Sequence, residues 1–577
     1  MRRLPYVTTI AIALAYARRQ SFVVGGDRYF VLFDDAMISM RYGRNLTSGH
    51  GLAYNTAGHA VEGFTNPLWT LWMSVLNLAP LPLRLASLMV VLSGLVILLV
   101  NLYLVERIAR LLSPESGLAV TIAVWLTALC GPVLMWTVLG MEVGLVSLVT
   151  LLGVFLCLRW IESGATADMW WLAVVIALST TVRPDVTVAA FVIAFYAAWR
   201  SPPERRRVAF IVFIGAVVLA LVAQTLVRLA YYGEPLPNTY YLKVSGISLQ
   251  ARLRRGLLHL VAEGIQHLYA PVLLAVAWLL TRRAGRRGAG LLLLIVAAQL
   301  AYSVYVGGDS YDGGEAGSRY IAAVLPCLAI VAALGVDALR FVSGRARTAF
   351  AALGLLSLPA VMLLRAANVQ PGVNSQLGPS ARDPALLRIL LPLVLLGAVL
   401  AALWSRRSSW PLVVLAVALV AASSAHHLDG ALRQPSGAAA FDQRMTRYAL
   451  ALRSATDREA TIATGAAGEL GYFTERQIVD LLGYTDDHIA HLAPTGGAFI
   501  PGHNKFDVSY SIGVLRPDVI AGTFPRQSEA VRAQIIGYGY EEIGTQLFVR
   551  RDSTRVDRDA LRAFVADPTS GALILSR

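Results

Sequence analysis

Apolar runs of about 20 residues, each long enough to cross the ~30 Å hydrocarbon core as a helix, recur from the N-terminus to about residue 425. Nothing else in the sequence constrains the fold as strongly. The chain is 577 residues long, 56% hydrophobic and 15% charged, where soluble domains carry roughly a quarter charged residues. The expected fold is a polytopic α-helical membrane protein with about 11–13 transmembrane helices over residues 1–425.

The formal charge of +14 would suit a nucleic-acid binder, but the arginines are in the wrong places for one. They collect in short loops between apolar runs, as in "RSPPERRR" (200–207), "TRRAGRR" (281–287), "RFVSGRAR" (340–347) and "SRR" (405–407). Such clusters orient membrane proteins by the positive-inside bias. With these loops in the cytoplasm, runs near 208–232, 257–281, 289–306, 320–339, 348–364, 385–404 and 411–425 alternate as spans. Loops 233–256, 307–319 and 365–384 then lie on the extracytoplasmic side, with everything after His426. The segment 67–82 is broken by prolines and barely long enough to cross, so a re-entrant or interfacial course keeps the parity. The N-terminal "MRRLPYVTTIAIALAYA" has the look of a signal peptide, but no small-x-small site precedes a suitable mature start. It reads as a first transmembrane helix, with a short apolar core closed by Arg18 and Arg19.

From about Ala440 the long apolar runs stop. "ATIATG" (460–465), "QIVDLLG" (477–483) and "RPDVIAG" (516–522) read as strands, and "YEEIGTQLFVRRD" (540–552) as a hairpin. Residues 426–577 are therefore expected to form an extracytoplasmic α/β cap domain. Its "TGAAGELG" (464–471) has some features of a phosphate loop but lacks the Lys-Ser/Thr of a Walker loop and the dinucleotide glycine spacing, so it reads as a strand–turn–helix corner. Cys130, Cys157 and Cys327 all fall inside apolar segments, which leaves no basis for a disulfide or a cysteine metal site.

Chemistry concentrates in the first outer loop, about residues 18–66, above all in "YFVLFDDAMISMRYGRNLTSGHGLAYN". Asp34 and Asp35 open a helix-compatible run, where an aspartate can cap free backbone amides. A carboxylate there also suits general-base work on a sugar hydroxyl, or a divalent cation beside a phosphate. Successive helical residues diverge by about 100°, so the two acids cannot face one pocket alike. Arg41 and Arg44 follow within reach of an anionic leaving group, and His50, Asn55, Glu62, Asn66 and Trp69 supply hydrogen-bonding groups and an aromatic face. Trp69 reads equally as an interfacial anchor.

Other outer-side groups compete with structural explanations. "ARLRRG" (251–256) places arginines, Arg252 and Arg255 among them, against the topological rule; an anionic lipid phosphate would explain them, as would a solvated amphipathic helix. Lys243 and Lys505 are the only lysines among 50 basic residues. Lys243 sits in the Tyr-rich "PNTYYLKV" and fits either a phosphate contact or a snorkelling residue. Asp309 and Asp312 follow a Gly-Gly turn, where loop formation competes evenly with a functional role. Glu142 and Asp185 lie at the ends of apolar runs, where capping or pairing with Arg183 competes with catalysis.

An acidic pair after the first transmembrane helix resembles the GT-C glycosyltransferases, which use polyprenyl-phosphate sugars. The longer "FDDAMISMRYGRNLTSGHGLAYN…VEGFTNPLWT" is similar to the AftB family of actinobacterial terminal β-(1→2)-arabinofuranosyltransferases. "GMEVGL", "VRPD", "PNTYYLKV", "GGDSYDGGEAGSRYIAAVLP" and "GELGYFTERQIVDLLG" fit that resemblance and recur across related membrane proteins. The resemblance implies a decaprenylphosphoryl arabinofuranose donor and an arabinan acceptor in arabinogalactan or lipoarabinomannan. It implies Asp34 or Asp35 at the reacting centre, as base or as ligand of any metal. Arg41, Lys243, Arg252, Arg255 and Arg319 would serve the donor phosphate; His50, Asn55, Glu62, Asn66, Trp69, Tyr240 and Asp309 would line the cavity. No cofactor is required, although Mg2+, Mn2+ or Ca2+ is compatible with the paired acids. The alternatives are a mannosyl- or aminoarabinosyltransferase, a lipid-linked sugar transporter and a non-enzymatic envelope scaffold.

Overall fold

A computed structural model describes residues 3–264, 268–280, 287–311, 316–339, 437–522 and 529–567. The spans expected near 348–364, 385–404 and 411–425, the Arg clusters at 281–286, 340–347 and 405–407, Asp312 and the 425/426 boundary fall outside these residues. The chain begins with α1 (Leu4–Gln20), a hairpin of β1 (Phe22–Val24) and β2 (Asp27–Tyr29), α2 (Asp34–Thr47), α3 (Pro67–Asn77) and α4 (Leu83–Leu112). Next come α5 (Gly117–Ala128), α6 (Gly131–Val138), α7 (Val143–Ser163), α8 (Thr166–Ser179), α9 (Val186–Arg200) and α10 (Pro203–Tyr232). After these lie α11 (Asn238–Lys243), α12 (Leu249–Glu263), α13 (Tyr269–Leu280), α14 (Arg287–Val306), α15 (Arg319–Ala322) and α16 (Leu325–Leu339).

Among the described residues four helices are long and apolar enough to cross a bilayer: α4, α7, α10 and Gly288–Val306 of α14. The pair α5 and α6, bent by 43°, has the length and composition of a broken span or a re-entrant loop. Along α10 only 11% of the apolar window is buried, and Ile211, Leu219 and Leu226 stand exposed, as a face turned to lipid requires. The 11-residue α3 rises only about 16 Å, too short to cross, in keeping with the expected re-entrant or interfacial course of 67–82.

The C-terminal domain carries α17 (Gly437–Ala455), β3 (Thr461–Thr464), α18 (Ala467–Thr474), β4 (Gln477–Asp480), α19 (Asp487–His491) and β5 (Val519–Ala521), then α20 (Glu529–Gly537), β6 (Tyr540–Gly544), β7 (Leu547–Arg550) and α21 (Arg558–Ala566). Its five strands lie in the order β4-β3-β5-β7-β6. β3 pairs parallel with β4 and β5, and β7 pairs antiparallel with β5 and β6. All four stretches expected to hold strands do so, and "TGAAGELG" is the corner between β3 and α18.

Alternation along these strands sorts their side chains onto two faces. Ala463, Ile520 and Phe548 enter a small core with Leu481 and Ile512. Ile462, Val519, Leu547 and Val549 enter a much larger core that also holds Leu32, Met37, Met40 and Tyr42 of the first loop. The C-terminal sheet and the acidic turn thus share one apolar core, which fixes the domain against α2.

Candidate active site

A helix cannot aim consecutive side chains the same way, and α2 begins with the two acids. Asp34 turns toward the C-terminal domain. Its Oδ1 accepts the backbone N–H of Glu469 at 2.7 Å, in the first turn of α18. The helix N-terminus at the glycine-rich corner therefore binds the carboxyl group of Asp34. Contact is so close that a Cβ on Gly468 would stand 1.7 Å from the Asp34 carbonyl oxygen. Burial pushes the Asp34 carboxyl up to about 7, against the stabilising N–H groups of Glu469 and Gly468.

Asp35 faces the other way, into a cavity of about 60 Å³. The cavity is partly open to its surroundings. Lys243 of α11, Arg319 of α15, Glu142, Arg183, Asn66 and Tyr484 also line it. Arg319 grips Asp309 through Nε (2.6 Å) and Nη2 (2.7 Å), and its Nη1 donates to Asp35 Oδ2 at 2.7 Å. Its guanidinium lies 5.4 Å from the Trp136 ring centre and 5.1 Å from that of Tyr311. Burial alone would raise the Asp309 carboxyl, but Arg319 holds it well below the usual range.

A second buried network stands behind. Arg183 binds Asp185 bidentately (2.5 and 2.6 Å) and Glu142 through Nη1 (2.9 Å). Gln299 donates to Asp185 at 2.7 Å and Asn66 to Glu142 at 2.7 Å. The carboxylates of Asp309, Asp185 and Glu142 are thereby committed to arginine.

Two groups are left over. Asp35 is 16% exposed at its side chain, and its Oδ1 accepts no hydrogen bond among the described residues. Lys243 has no hydrogen bond or ion pair among them; its Nζ lies 5.1 Å from the centre of the Tyr484 ring. Burial lowers its ammonium from the ordinary lysine value, with the Asp35 carboxylate opposing. A desolvated cation without a bound carboxylate, beside an acid with a free oxygen, can hold an anion at one end and take a proton at the other.

The C-terminal domain roofs this cavity. Asn238, opening α11, donates to the carbonyls of Gly483 and Tyr484, both at 2.9 Å. Lys505 Nζ donates to the carbonyl of Tyr241 at 2.9 Å and of Ala490 at 2.8 Å. His503 is buried close enough for Asp35 and Lys243 to act on its imidazole, which burial lowers from its usual value.

Several residues expected here lie elsewhere. Arg41 projects from the Asp34 side of α2 and is spent on the carbonyls of Tyr54 (2.7 Å), Gly471 (2.5 Å) and Arg476 (2.6 Å). It stitches the first loop to the C-terminal domain and does not line the Asp35 cavity. Asn55 joins that seam by accepting from Arg41 and the Ile478 N–H, and His50 lines a separate cleft beside it. Arg252 and Arg255 bond the carbonyls of Tyr305, Gly307 and Asp309, bracing the loop that carries Asp309 instead of reaching the cavity. Glu62 pairs with Arg228 at 2.7 Å. Trp69 is 1% exposed and donates to the Gly140 carbonyl, so it is neither an interfacial anchor nor a stacking platform. Tyr240 is 39% exposed and lies outside the cavity.

Asp34 and Asp35 do not converge on one point, and among the described residues no group of three His, Cys, Asp or Glu is placed to hold a metal ion. Glu142 and Asp185, open in the sequence between a structural pairing with Arg183 and catalysis, make that pairing. Tyr484 and His503 carry no periodic signal in the sequence; His503 is marked only by the polar "PGHNK" at 501–505.

With this geometry in view, comparison with solved structures is informative about the fold. The ArnT structure from Cupriavidus metallidurans bound to undecaprenyl phosphate aligns with a TM-score of 0.54 at 16% identity, covering 95% of this chain and 98% of that one. The apo form of that protein gives 0.49 at 14% identity, with 82% and 84% covered. The arabinosyltransferase EmbB from Mycobacterium smegmatis gives 0.41 at 18% identity, with 73% and 41% covered. The fold is of the GT-C kind, a multi-pass helical membrane domain with a C-terminal α/β domain. A family model described as a domain of unknown function, DUF8728, matches residues 437–557. No curated protein matches.

Proposed function

We propose that this chain is a membrane glycosyltransferase that moves a sugar from a polyprenyl-phosphate carrier to an acceptor hydroxyl on the extracytoplasmic side. The observation that carries the proposal is that Lys243, an ammonium with no bound carboxylate among the described residues, lines one cavity with Asp35, whose second oxygen accepts no hydrogen bond among them. The ArnT structure that shares this fold is bound to undecaprenyl phosphate, and a desolvated cation is suited to stabilising a phosphate leaving group. The acceptor oxygen attacks the anomeric carbon, its proton passes to Asp35, and the sugar–phosphate C–O bond breaks. The electron pair leaves with the lipid phosphate, whose charge Lys243 and Arg319 stabilise.

The similarity of the first-loop motif to the AftB family supports a finer assignment: arabinofuranose from decaprenylphosphoryl arabinofuranose to terminal positions of arabinan. A transfer assay on the purified chain in detergent tests both levels. Decaprenylphosphoryl arabinofuranose with a short arabinan should give product, and Asp35→Asn should lower the rate about 100-fold or more while leaving the fold intact. Product only from a mannosyl or aminoarabinosyl lipid would replace the sugar and keep the enzyme class. Absence of transfer from every lipid donor would overturn the enzyme.

A further inference from the structure

On the opposite face of α2 lies a second cleft, of about 980 Å³, between the β1–β2 hairpin, α2 and the C-terminal domain. It is far larger than the Asp35 cavity and separate from it. Five arginines line it, Arg41, Arg44, Arg453, Arg458 and Arg476, against three acids.

The charges there are poorly matched. Arg41 and Arg476 are buried, yet among the described residues every hydrogen-bond partner they have is a carbonyl, amide or hydroxyl oxygen, never a carboxylate. Arg44 and Arg453 share one carboxylate, that of Glu475. Arg458, exposed at the rim, has no hydrogen bond or ion pair among the described residues. Of the other two acids, Asp27 is drawn to Arg84 at 3.3 Å, and Asp457 is exposed. Burial lowers the guanidinium of Arg453, and Arg458 lowers it further; Arg476 is lowered by burial and then by both of them. Glu475 holds its place at a cost, since its φ of 56° is left-handed, where glycine is the usual helix C-cap. Buried positive charge without carboxylate partners stores an attraction for an incoming anion.

The remaining lining identifies the anion's carrier. Asn45, Ser48, Thr56, Ser454 and Gln477 offer amides and hydroxyls, while apolar side chains reach the wall only at Val24, Tyr29 and Leu450. A phospholipid would need an apolar track for its acyl chains. A hydrated oligosaccharide needs what is present. We infer that this cleft binds an acidic glycan, with its oxyanion groups held by Arg44, Arg453 and Arg458. The inference does not depend on the transfer reaction.

The test is equilibrium binding to the full-length protein in neutral detergent, with tetragalacturonate as the anionic probe and maltotetraose as its neutral counterpart. Tetragalacturonate should bind, and more weakly by about fivefold or more when salt is raised from 50 to 500 mM. Arg458→Glu, at an exposed position that folding tolerates, should weaken it about tenfold, and Arg458→Gln less, with melting temperatures unchanged. Equal binding of maltotetraose, or an Arg458→Glu protein that binds as the parent does, would overturn the inference. So would binding of phosphatidylglycerol micelles without tetragalacturonate, which would make the cleft a lipid site, and so would binding of neither.

Discussion

On α2 the side chains of Asp34 and Asp35 leave the axis about 100° apart, and every chemical difference between them follows from that angle. Asp34 meets the first turn of α18; Asp35 meets Arg319 and, among the described residues, keeps one oxygen free. The sequence showed that both could not share a pocket, but not which would face it, because that depends on where a domain more than 400 residues later packs. Asparagine at either position separates the roles. Asp34→Asn keeps an acceptor oxygen for the Glu469 N–H and mimics the protonated carboxyl that burial favours. Transfer by this variant should stay within about threefold of the parent, while Asp35→Asn falls about 100-fold or more. Initial rates on the same lipid donor decide it. Equal loss in both variants would return Asp34 to the reacting centre.

Among the elements, α11 depends most on its neighbours. Six residues make little helix stability by themselves, yet α11 presents Lys243 to the cavity. Asn238 ties its first turn to the carbonyls of Gly483 and Tyr484, and Lys505 ties the carbonyl of Tyr241 to α19. Lys505 is 1% exposed, and its distances to two carbonyls define one geometry. Lys505→Met keeps most of the buried stem and removes both donors, leaving two carbonyls without them. If α11 positions the phosphate-binding lysine, this change should raise KM for the lipid donor about tenfold and lower kcat less. A fall in melting temperature with unchanged KM would make Lys505 merely structural. The membrane helices and the strands of the C-terminal domain were legible because periodicity and run length are local signals. The roof at 484 and 499–505 was not, since loop residues acquire their positions from hydrogen bonds between distant segments.

For the whole molecule, the contact between the two halves is a buried acidic junction. Asp442 on α17 and Glu469 on α18 lie near Asp34, and burial raises all three carboxyls; the charge of Asp34 adds to the rise at Asp442 and Glu469, and that of Asp442 to the rise at Glu469. Glu469 Oε1 accepts from Thr446 at 2.5 Å, but its Oε2 has no hydrogen-bond partner among the described residues. These groups bind protons more tightly folded than unfolded. Their stabilisation is complete below the ordinary carboxylate range, about pH 4, and Asp34's share is lost as pH rises through about 7. Asp309 acts in the opposite sense, but only below pH 4, because Arg319 depresses it. The melting temperature of the full chain should therefore be higher at pH 5 than at pH 8. Glu469→Gln removes one ionisation and supplies an N–H for the crowded acids, so it should leave pH 5 nearly unchanged and raise the pH 8 value by about 2–4 °C. Differential scanning fluorimetry at the two pH values measures both effects. A parent that is more stable at pH 8, or a variant destabilised at pH 8, would show that the junction holds its acids ionised, with a cation or an arginine supplying the balance.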